Sequence, residues 1–315
     1  MRVVTLLPSA TETLFALGVE PVGVSHSCDH PPAARELPTL TSTVVDHEGR
    51  EAADIDAQMR GVEGAVYDLD VDRLAGLDPD LVITQATCDV CAVDAGAVHA
   101  AAASIDAGPE TLTLDPHSFA DVLDDVTRIG AAVDRRDAAA TLRARLSDRV
   151  DRVRKRAEAA VAASGRPRTA VLDWTDPPIR AGHWVRDMVE LAGGDPEFQP
   201  CGPSEPVAWD DIRAFEPEVL VVTPCGFDRD RAVAAVDDLA AHAGWESIPA
   251  VGNGRVYAVD GNALFNRPSH RLVDSLEALF ACLHPDHAAA TPSTIDRIAR
   301  VDRPVTTPSV RPDGD

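Results

Sequence analysis

The sequence SFADVLDDVTRIGAAVDRRDAAATLRARLSDRVDRVRKRAEAAVAA, from Ser118 to Ala163, decides the architecture of this chain of 315 residues. It contains no proline and one glycine, Gly130, and its apolar residues recur every three or four positions. Arginine and aspartate fill the opposite face. The pattern predicts a short helix followed by one of about thirty residues, which at about 1.5 Å per residue spans roughly 40 Å. A rod of that length can join two lobes.

Short apolar runs alternate with helical patterns on both sides of this segment, as in the βα units that build parallel sheets. Before it, Val3 to Leu7 and Leu81 to Thr84 are the clearest strands. After it, strands are predicted at Thr169 to Asp173, Val219 to Thr223 and Arg255 to Val259. The sequence therefore predicts an α/β protein of two Rossmann-like lobes with parallel sheets, joined by a single long backbone helix, with a ligand cleft between the lobes.

The predicted boundaries follow from these changes of pattern. We expect an N-terminal α/β lobe over residues 1–117, a linking helical segment over 118–164 and a C-terminal α/β lobe over 165–286. Residues 287–315 contain four prolines and little apolar pattern, so they are predicted to form a disordered tail.

Charge excludes several classes of partner. Acidic residues outnumber basic ones by 52 to 29, for a formal charge of -23, so nucleic acid and anionic lipid surfaces would repel the chain at low salt. The skew toward aspartate and arginine is typical of a salt-adapted, halophilic surface, and a GC-rich genome would produce the same skew. No run approaches the roughly 20 apolar residues of a transmembrane helix. We expect a monomer that binds no nucleic acid and does not insert into membranes.

The N-terminus resembles a short signal peptide, because Arg2 precedes an apolar stretch. Pro8 and Glu12 interrupt that stretch, and Ser9 with Glu12 fits the S-x-x-E capping box at the start of a helix. We interpret the segment as strand, turn and helix. This interpretation predicts a cytoplasmic protein, or an extracytoplasmic one if the true start of translation lies upstream.

Unusual residues follow the predicted strands, where the ligands of parallel sheets bind. We expect these candidate binding residues to face one cleft. The first lobe contributes Pro8, Ser9, Cys28, Asp29, Gln85, Cys88 and Cys91, and the second contributes Trp174, Trp184, Cys225, Phe227, Phe265, Asn266 and Arg267.

Four of these residues are cysteines. Cys88 and Cys91 form a C-x-x-C motif, which is either a chance spacing or part of a metal or redox site. With Cys28 and Cys225 they could bind zinc or an iron–sulfur cluster, and a neighbouring histidine could replace one thiolate. We expect folding itself to require no cofactor.

Aromatic residues make up 4% of the chain, yet Trp174, Phe227 and Phe265 all follow strands of the second lobe. Such residues are suited to the wall of a site for a flat ligand. Trp184 either packs in the core or lines the cleft. Arg267 either binds an anionic group or pairs with a carboxylate.

Catalytic motifs are missing from the sequence. It contains no GxSxG, Walker A or GxGxxG pattern. Asp173, Asp176 and His183 could form an acid–base set, but carboxylates are so abundant here that their proximity carries little weight. We therefore expect a binding protein rather than an enzyme.

Several segments together resemble the helical-backbone (class III) periplasmic binding proteins, in particular the cobalamin-binding branch of ABC transporter substrate-binding proteins. The resemblance extends from Met1 to about Pro285. The segments that carry it are the opening RVVTLLPSATETLFALG, CDHPP from Cys28, PDLVITQATCDVCAV from Pro79, DWTDPPIRAGHWVRDMVELAGG from Asp173, PCGF from Pro224 and GNALFNRP from Gly261.

This resemblance implies a receptor that encloses a corrinoid, cobalamin or a related metal complex, for an uptake system with a permease and an ATPase. It implies that Pro8 and Ser9 border the corrin ring from the first lobe, while Trp174 and residues 224–227 and 265–267 face it from the second. Ordinary B12 receptors line this cleft mainly with aromatic and polar groups. The cleft thiols therefore leave a second hypothesis open, an intracellular thiolate metal- or cluster-binding protein.

Overall fold

The computed structural model describes residues 1–47, 49–87, 92–106, 108–288 and 295–301. The strands are Val3–Thr5 (β1), Thr41–Thr43 (β2), Tyr67–Leu69 (β3), Leu81–Gln85 (β4), Glu110–Leu114 (β5), Thr169–Thr175 (β6), Pro178–Arg180 (β7), Glu205–Pro206 (β8), Val219–Val222 (β9), Val256–Val259 (β10) and Ile298–Arg300 (β11). The helices are Pro8–Ala16 (α1), Ala52–Gly61 (α2), Val71–Gly76 (α3), Ala95–Ser104 (α4), Phe119–Ala132 (α5), Arg136–Ser164 (α6), Val185–Leu191 (α7), Trp209–Phe215 (α8), Arg229–Ala240 (α9), Pro249–Gly252 (α10) and Leu272–Leu283 (α11).

The first lobe is built on a parallel sheet with the strand order β1-β4-β5. Val3 lies opposite Leu81, and Leu81 lies opposite Glu110, so the three strands end at the same side of the lobe. A separate antiparallel ribbon pairs β2 with β3. Between the two strands of this ribbon the chain forms α2.

The second lobe contains a six-stranded sheet with the order β11-β10-β9-β6-β7-β8. Its centre, β10-β9-β6, is parallel as predicted, and the outer strands β7, β8 and β11 are antiparallel. The outer strands were not predicted because each is short and lacks a hydrophobic run. The fold class, two α/β lobes with parallel sheets, is confirmed.

The prediction of disorder across residues 287–315 is wrong for its middle part. Ile298, Ala299 and Arg300 pair with β10, and Val301 packs into an apolar cluster of the second lobe. Arg297 donates a hydrogen bond of 2.7 Å to the carboxylate of Asp260, just beyond β10. Backbone pairing and this ion pair hold a segment whose own side chains give little hydrophobic signal. Residues 289–294 and 302–315 lie outside the described residues.

The connecting helices follow the sequence pattern closely. Helix α5 begins at a capping box, in which Ser118 and Asp121 each accept a backbone hydrogen bond from the other. Helix α6 has 29 residues. Arg149 of α6 binds the carboxylates of Asp274 and Glu277 on α11, at 2.6 Å and 2.7 Å. The long helix is therefore fixed to the second lobe by charge as well as by packing.

One apolar cluster continues through both lobes. It includes Leu14 and Ile83 from the first lobe, Leu146 from α6, and Val171 and Leu276 from the second. Because protein interiors are packed at crystal-like density, a shared core of this kind resists large relative rotation of the lobes.

We predict that Gly130→Ala destabilises the junction of α5 and α6. A Cβ at this position would lie 2.3 Å from the Cβ of Ala139. The overlap should cost about 1–3 kcal/mol of unfolding free energy, more than the gain of about 1 kcal/mol from replacing a helical glycine. Urea denaturation measures the difference. Gly76→Ala is the control, since nothing lies within 4 Å of its Cβ, and equal stability of the two variants would contradict the prediction.

Candidate functional site

The strand-end turns of the two lobes meet at one junction, as the sequence predicts. In the first lobe Pro8 begins α1 shortly after β1, Gln85 is the last residue of β4, and Asp29 lies in the segment between α1 and β2; in the second lobe Asn262 and Arg267 follow β10. Direct contacts cross the junction, since Arg267 and Asn262 both bind the side chain of Asp29. Residues more than 200 positions apart in sequence therefore share one site, which we call the interlobe junction.

Glu12 is the centre of this junction. Its side chain is 0% exposed and accepts hydrogen bonds from Arg267 at 3.0 Å, Arg271 at 2.9 Å and Ser269 at 2.6 Å. All three partners come from the other lobe. An isolated buried carboxylate would be costly, but two guanidinium groups and a hydroxyl satisfy this one.

The predicted capping box of Ser9 and Glu12 is wrong. Helix α1 begins at Pro8, and its N-cap residue, Leu7, makes no side-chain capping bond. Proline suits the first position of a helix because it has no N–H to satisfy there. Glu12 is thereby free to reach across to the second lobe. Sequence reasoning missed this role, although a lone carboxylate between Thr11 and Thr13 in an otherwise uncharged helix was the available signal.

Asp29 forms the outer part of the same network. It accepts hydrogen bonds from Arg267 at 2.5 Å and from Asn262 at 3.0 Å, and Arg35 lies 3.8 Å away. Burial alone would raise the pKa of Asp29, but the hydrogen bond and charge of Arg267 lower it below its ordinary value. Asp29 therefore stays ionised as part of the contact between lobes.

Two residues predicted to face a ligand are occupied within the protein. Arg267 pairs with Glu12 and Asp29, and its other nitrogen donates to Asn262. Of the two alternatives for Arg267, the structure shows the pairing with carboxylates. The amide of Asn266 donates to the carbonyl oxygens of Thr223 and Gly261, each at 3.0 Å, and so holds neighbouring turns together.

Trp174 and Phe227 form an aromatic pair at the ends of β6 and β9. Their ring centroids lie 5.4 Å apart in an edge-to-face arrangement, a favoured geometry for aromatic rings. The indole N–H of Trp174 donates to the carbonyl oxygen of Asp176, and its ring is half-buried. Both rings contact apolar residues of the first lobe, so they face it across the cleft.

Phe265 and Trp184 do not line the cleft. Phe265 is 1% exposed and packs within the large core cluster. The indole N–H of Trp184 donates a hydrogen bond of 2.7 Å to the carbonyl oxygen of Phe265. Their predicted place in the wall of the site is thus corrected. Both follow strands, but the chain turns them toward the helices of the second lobe.

At the ends of β1 and β4, the first lobe presents small and polar groups. Pro8 is half-buried, while Ser9 is buried and its carbonyl oxygen accepts a bond from the hydroxyl of Thr13. Gln85 is buried at the end of β4. The hydroxyl of Thr87, just beyond it, has no hydrogen-bond partner among the residues that the structure describes. It is a polar group that a ligand could satisfy.

The predicted thiolate site has limited support. Cys28 is buried with its sulfur 3.1 Å from the hydroxyl of Thr11 and 3.2 Å from that of Ser25, and burial raises its pKa, so the neutral thiol is favoured. Cys225 is exposed beyond β9. Cys88 and Cys91 lie outside the described residues. Across the part of the chain that the structure describes, no three histidine, cysteine or acidic side chains are grouped to hold a metal ion.

The residue before Trp174 carries an unusual carboxyl group. Burial raises the pKa of Asp173 to about 6, against an ordinary value of 3.8, although a hydrogen bond from Ser204 acts in the opposite direction. Burial likewise lowers the pKa of His183, with a contribution from the nearby His117. At neutral pH His183 is therefore uncharged.

The comparisons identify the class of protein. A family model described as periplasmic binding protein matches residues 3–263, and the chain belongs to this family. Its members are solute-binding proteins rather than enzymes. No curated protein matches the sequence significantly.

Solved structures give the same architecture. The chain is similar to the periplasmic haem-binding protein BhuT in complex with two haems, with 26% identity, a TM-score of 0.68 and coverage of 91% of this chain and 99% of that one. A periplasmic haem-binding protein from Pseudomonas aeruginosa is 20% identical with a TM-score of 0.71, and the match covers 92% of this chain and 95% of that one. The periplasmic vitamin B12 binding protein BtuF of Vibrio cholerae is 21% identical with a TM-score of 0.63, and the match covers 90% of this chain and 96% of that one.

The family corrects the expected location. A cytoplasmic protein was predicted from the N-terminal sequence, but the chain belongs to a family of periplasmic binding proteins, and its structural neighbours are periplasmic. Among the described helices, none combines the length and apolarity needed to cross a bilayer.

We predict that Glu12→Gln destabilises the protein by about 3 kcal/mol, because it leaves two buried guanidinium groups short of a negative charge. The free energy of unfolding from urea titration tests this. Asp151→Asn is the control, since it removes half of an exposed ion pair with Arg154 and should change stability by less than about 0.5 kcal/mol. Similar small losses in both variants would contradict the role given to Glu12.

We predict that Asp173→Asn stabilises the protein in a pH-dependent way. The unfolded carboxyl loses its proton near 3.8 and the folded one at about 6, so the free energy of unfolding falls as pH rises through this interval. Asparagine can still accept the bond from Ser204, and the gain should reach about 3 kcal/mol at pH 7 and vanish below about pH 4.

Urea titrations between pH 4 and 7.5 measure this gain. Asp176→Asn, at an exposed neighbouring position, serves as the control. A stabilisation by Asp173→Asn that is the same at both ends of the range would show that the carboxyl does not titrate as stated.

Proposed function

We propose that the protein is the solute receptor of an ABC-type importer and that its ligand is a planar metal macrocycle of the corrinoid class, cobalamin. The observation that carries the proposal is the Trp174–Phe227 pair, which faces the first lobe from the carboxyl ends of β6 and β9. Parallel-sheet proteins bind their ligands at this position.

The chemistry of the pair suits a large flat ligand. Aromatic side chains bury extensive apolar area with little loss of conformational freedom, and each Å² of apolar surface removed from water contributes about 25 cal/mol. At its own strand ends, the first lobe offers the half-buried Pro8 and the hydroxyl of Thr87, which has no partner among the described residues. An apolar face with a few polar contacts at the rim is the usual composition of a small-molecule site.

The neighbours support the same class of ligand. The titles of two similar structures name haem and a third names vitamin B12. Both molecules are broad, nearly planar macrocycles with a central metal. The corrinoid is favoured here because the motifs of this sequence resemble the cobalamin-binding branch.

The architecture supports a receptor that moves little when it binds. The long helix α6, the shared core and the Glu12 cluster all connect the lobes. Wide hinge closure needs a few flexible residues between domains. In this protein we propose that the permease recognises a change confined to the mouth of the cleft.

We predict that the protein binds cobalamin with micromolar or tighter affinity and that Trp174→Ala weakens binding at least tenfold. A central aromatic contact of this kind is worth about 2 kcal/mol. Titration calorimetry and absorption spectroscopy, with cobalamin and haem as separate probes, measure the affinities. Trp209→Ala is the matched control, because Trp209 stacks on His242 away from the cleft.

If haem binds and cobalamin does not, the proposed corrinoid ligand is wrong and the ligand is a haem-like macrocycle. Failure of both probes to bind at micromolar concentrations would overturn the proposed function. An equal loss of affinity in the two tryptophan variants would show that Trp174 acts through stability alone.

A further inference from the structure

Helix α2 covers the aromatic pair. Ala52 and Ile55 lie three positions apart and so share one helical face, and both are buried in a cluster with Phe227 and Ala235 of the second lobe. Met59, one turn further on, packs against the same cluster, as does Trp174. A helix of the first lobe therefore occupies the apolar surface that a ligand of the second lobe would need.

This helix is held by both lobes. Gln58 ties it to the first lobe, because its amide exchanges two hydrogen bonds, at 3.0 Å and 2.9 Å, with the backbone of Asp46. Val45, Val62 and Val66 of the first lobe belong to the same apolar cluster. A helix of ten residues is marginal in isolation. Its position therefore depends on these contacts and on those with the second lobe.

Arg231 of α9 fastens the cover. Its guanidinium group lies 3.8 Å above the centre of the Phe227 ring, and the same group donates hydrogen bonds to the carbonyl oxygens of His47 at 3.1 Å and Arg50 at 2.9 Å. These carbonyls precede α2 directly. Arg231 of the second lobe thus contacts the Phe227 ring of its own lobe and the backbone of the first lobe at the same time.

We propose that α2 is a cover that the ligand displaces, and that its apolar face, formed by Ala52, Ile55 and Met59, then becomes the wall of the site opposite Trp174 and Phe227. This inference rests on the proposed function and adds to it a binding surface and a barrier to access. The ligand class that fits between two apolar walls is a flat macrocycle with polar groups at its rim.

The cover lowers the apparent affinity in proportion to the time it spends closed. A ligand binds only the fraction of molecules in which the aromatic pair is uncovered, so the observed dissociation constant is the intrinsic one divided by that fraction. The contacts of Arg231 with the backbone before α2 hold the closed state. Loss of these contacts should therefore favour binding.

Arg231→Gln tests the fastening. Hydrogen exchange of the α2 amides in unliganded protein should accelerate about tenfold or more, the effect expected for the loss of one cation–π contact and two hydrogen bonds at a partly exposed site. The association rate with cobalamin in stopped-flow measurements should rise, and the dissociation constant should fall, by a similar factor. Arg154→Gln is the matched control, since Arg154 forms an exposed ion pair with the neighbouring Asp151 on α6.

Ile55→Ala tests the wall. This variant weakens the closed state and also removes apolar surface that the ligand would contact, so exchange of α2 should accelerate while affinity for cobalamin falls. Opposite changes in affinity for Arg231→Gln and Ile55→Ala are the signature of a cover that becomes a wall. Tighter binding by both variants would overturn the wall, since Ile55 would then act only in the closed state.

Two results separate this inference from the proposed function. Unchanged exchange of α2 in Arg231→Gln would overturn the cover whatever the ligand measurements show. Accelerated exchange in a protein that binds neither cobalamin nor haem would support a displaceable cover and overturn the proposed ligand. Accelerated exchange with an unchanged association rate would overturn the cover as a barrier.

Discussion

The buried carboxylate of Glu12 is the interaction on which the arrangement of the lobes depends. A carboxylate removed from water costs several kcal/mol unless it is paired and hydrogen-bonded, and here every partner comes from the opposite lobe. Any relative shift of the lobes that separated Glu12 from Arg267 and Arg271 would strand both signs of charge in the interior. The cluster therefore specifies one relative position of the two sheets.

That position has consequences for the rest of the site. With the strand ends of both lobes held face to face, Trp174 and Phe227 point toward the first lobe, and α2 lies over them. The rigid part of the junction, around Glu12 and Asp29, is polar and internally satisfied. The part around α2 is apolar and is held by packing and by the contacts of Arg231. The molecule thus separates the contact that fixes its shape from the surface that is available to a ligand.

Local sequence patterns allowed the fold to be predicted. Where the observed side-chain positions differ from the predicted ones, long-range contacts are the reason. The periodicity of α6 and the alternation of strands and helices are properties of neighbouring residues, so both could be derived from the sequence. The partners of Glu12 lie about 255 positions away, and no spacing rule connects them. Phe265 and Trp184 follow strands, as ligand-binding residues do, but packing against α7 and α11 determines where their side chains point. Helix α2 was missed because ten residues with few apolar positions give a weak pattern.

The return of the chain as β11 has a consequence for solubility. Strand β10 is entirely buried and strongly apolar, and β11 is the strand that pairs with its outer side. Without that pairing, β10 would present a row of free N–H and C=O groups at the margin of the sheet, the arrangement that templates strand addition between molecules. Strand β11, a three-residue segment without a recognisable motif, therefore covers an edge of β10 that would otherwise be open to another molecule.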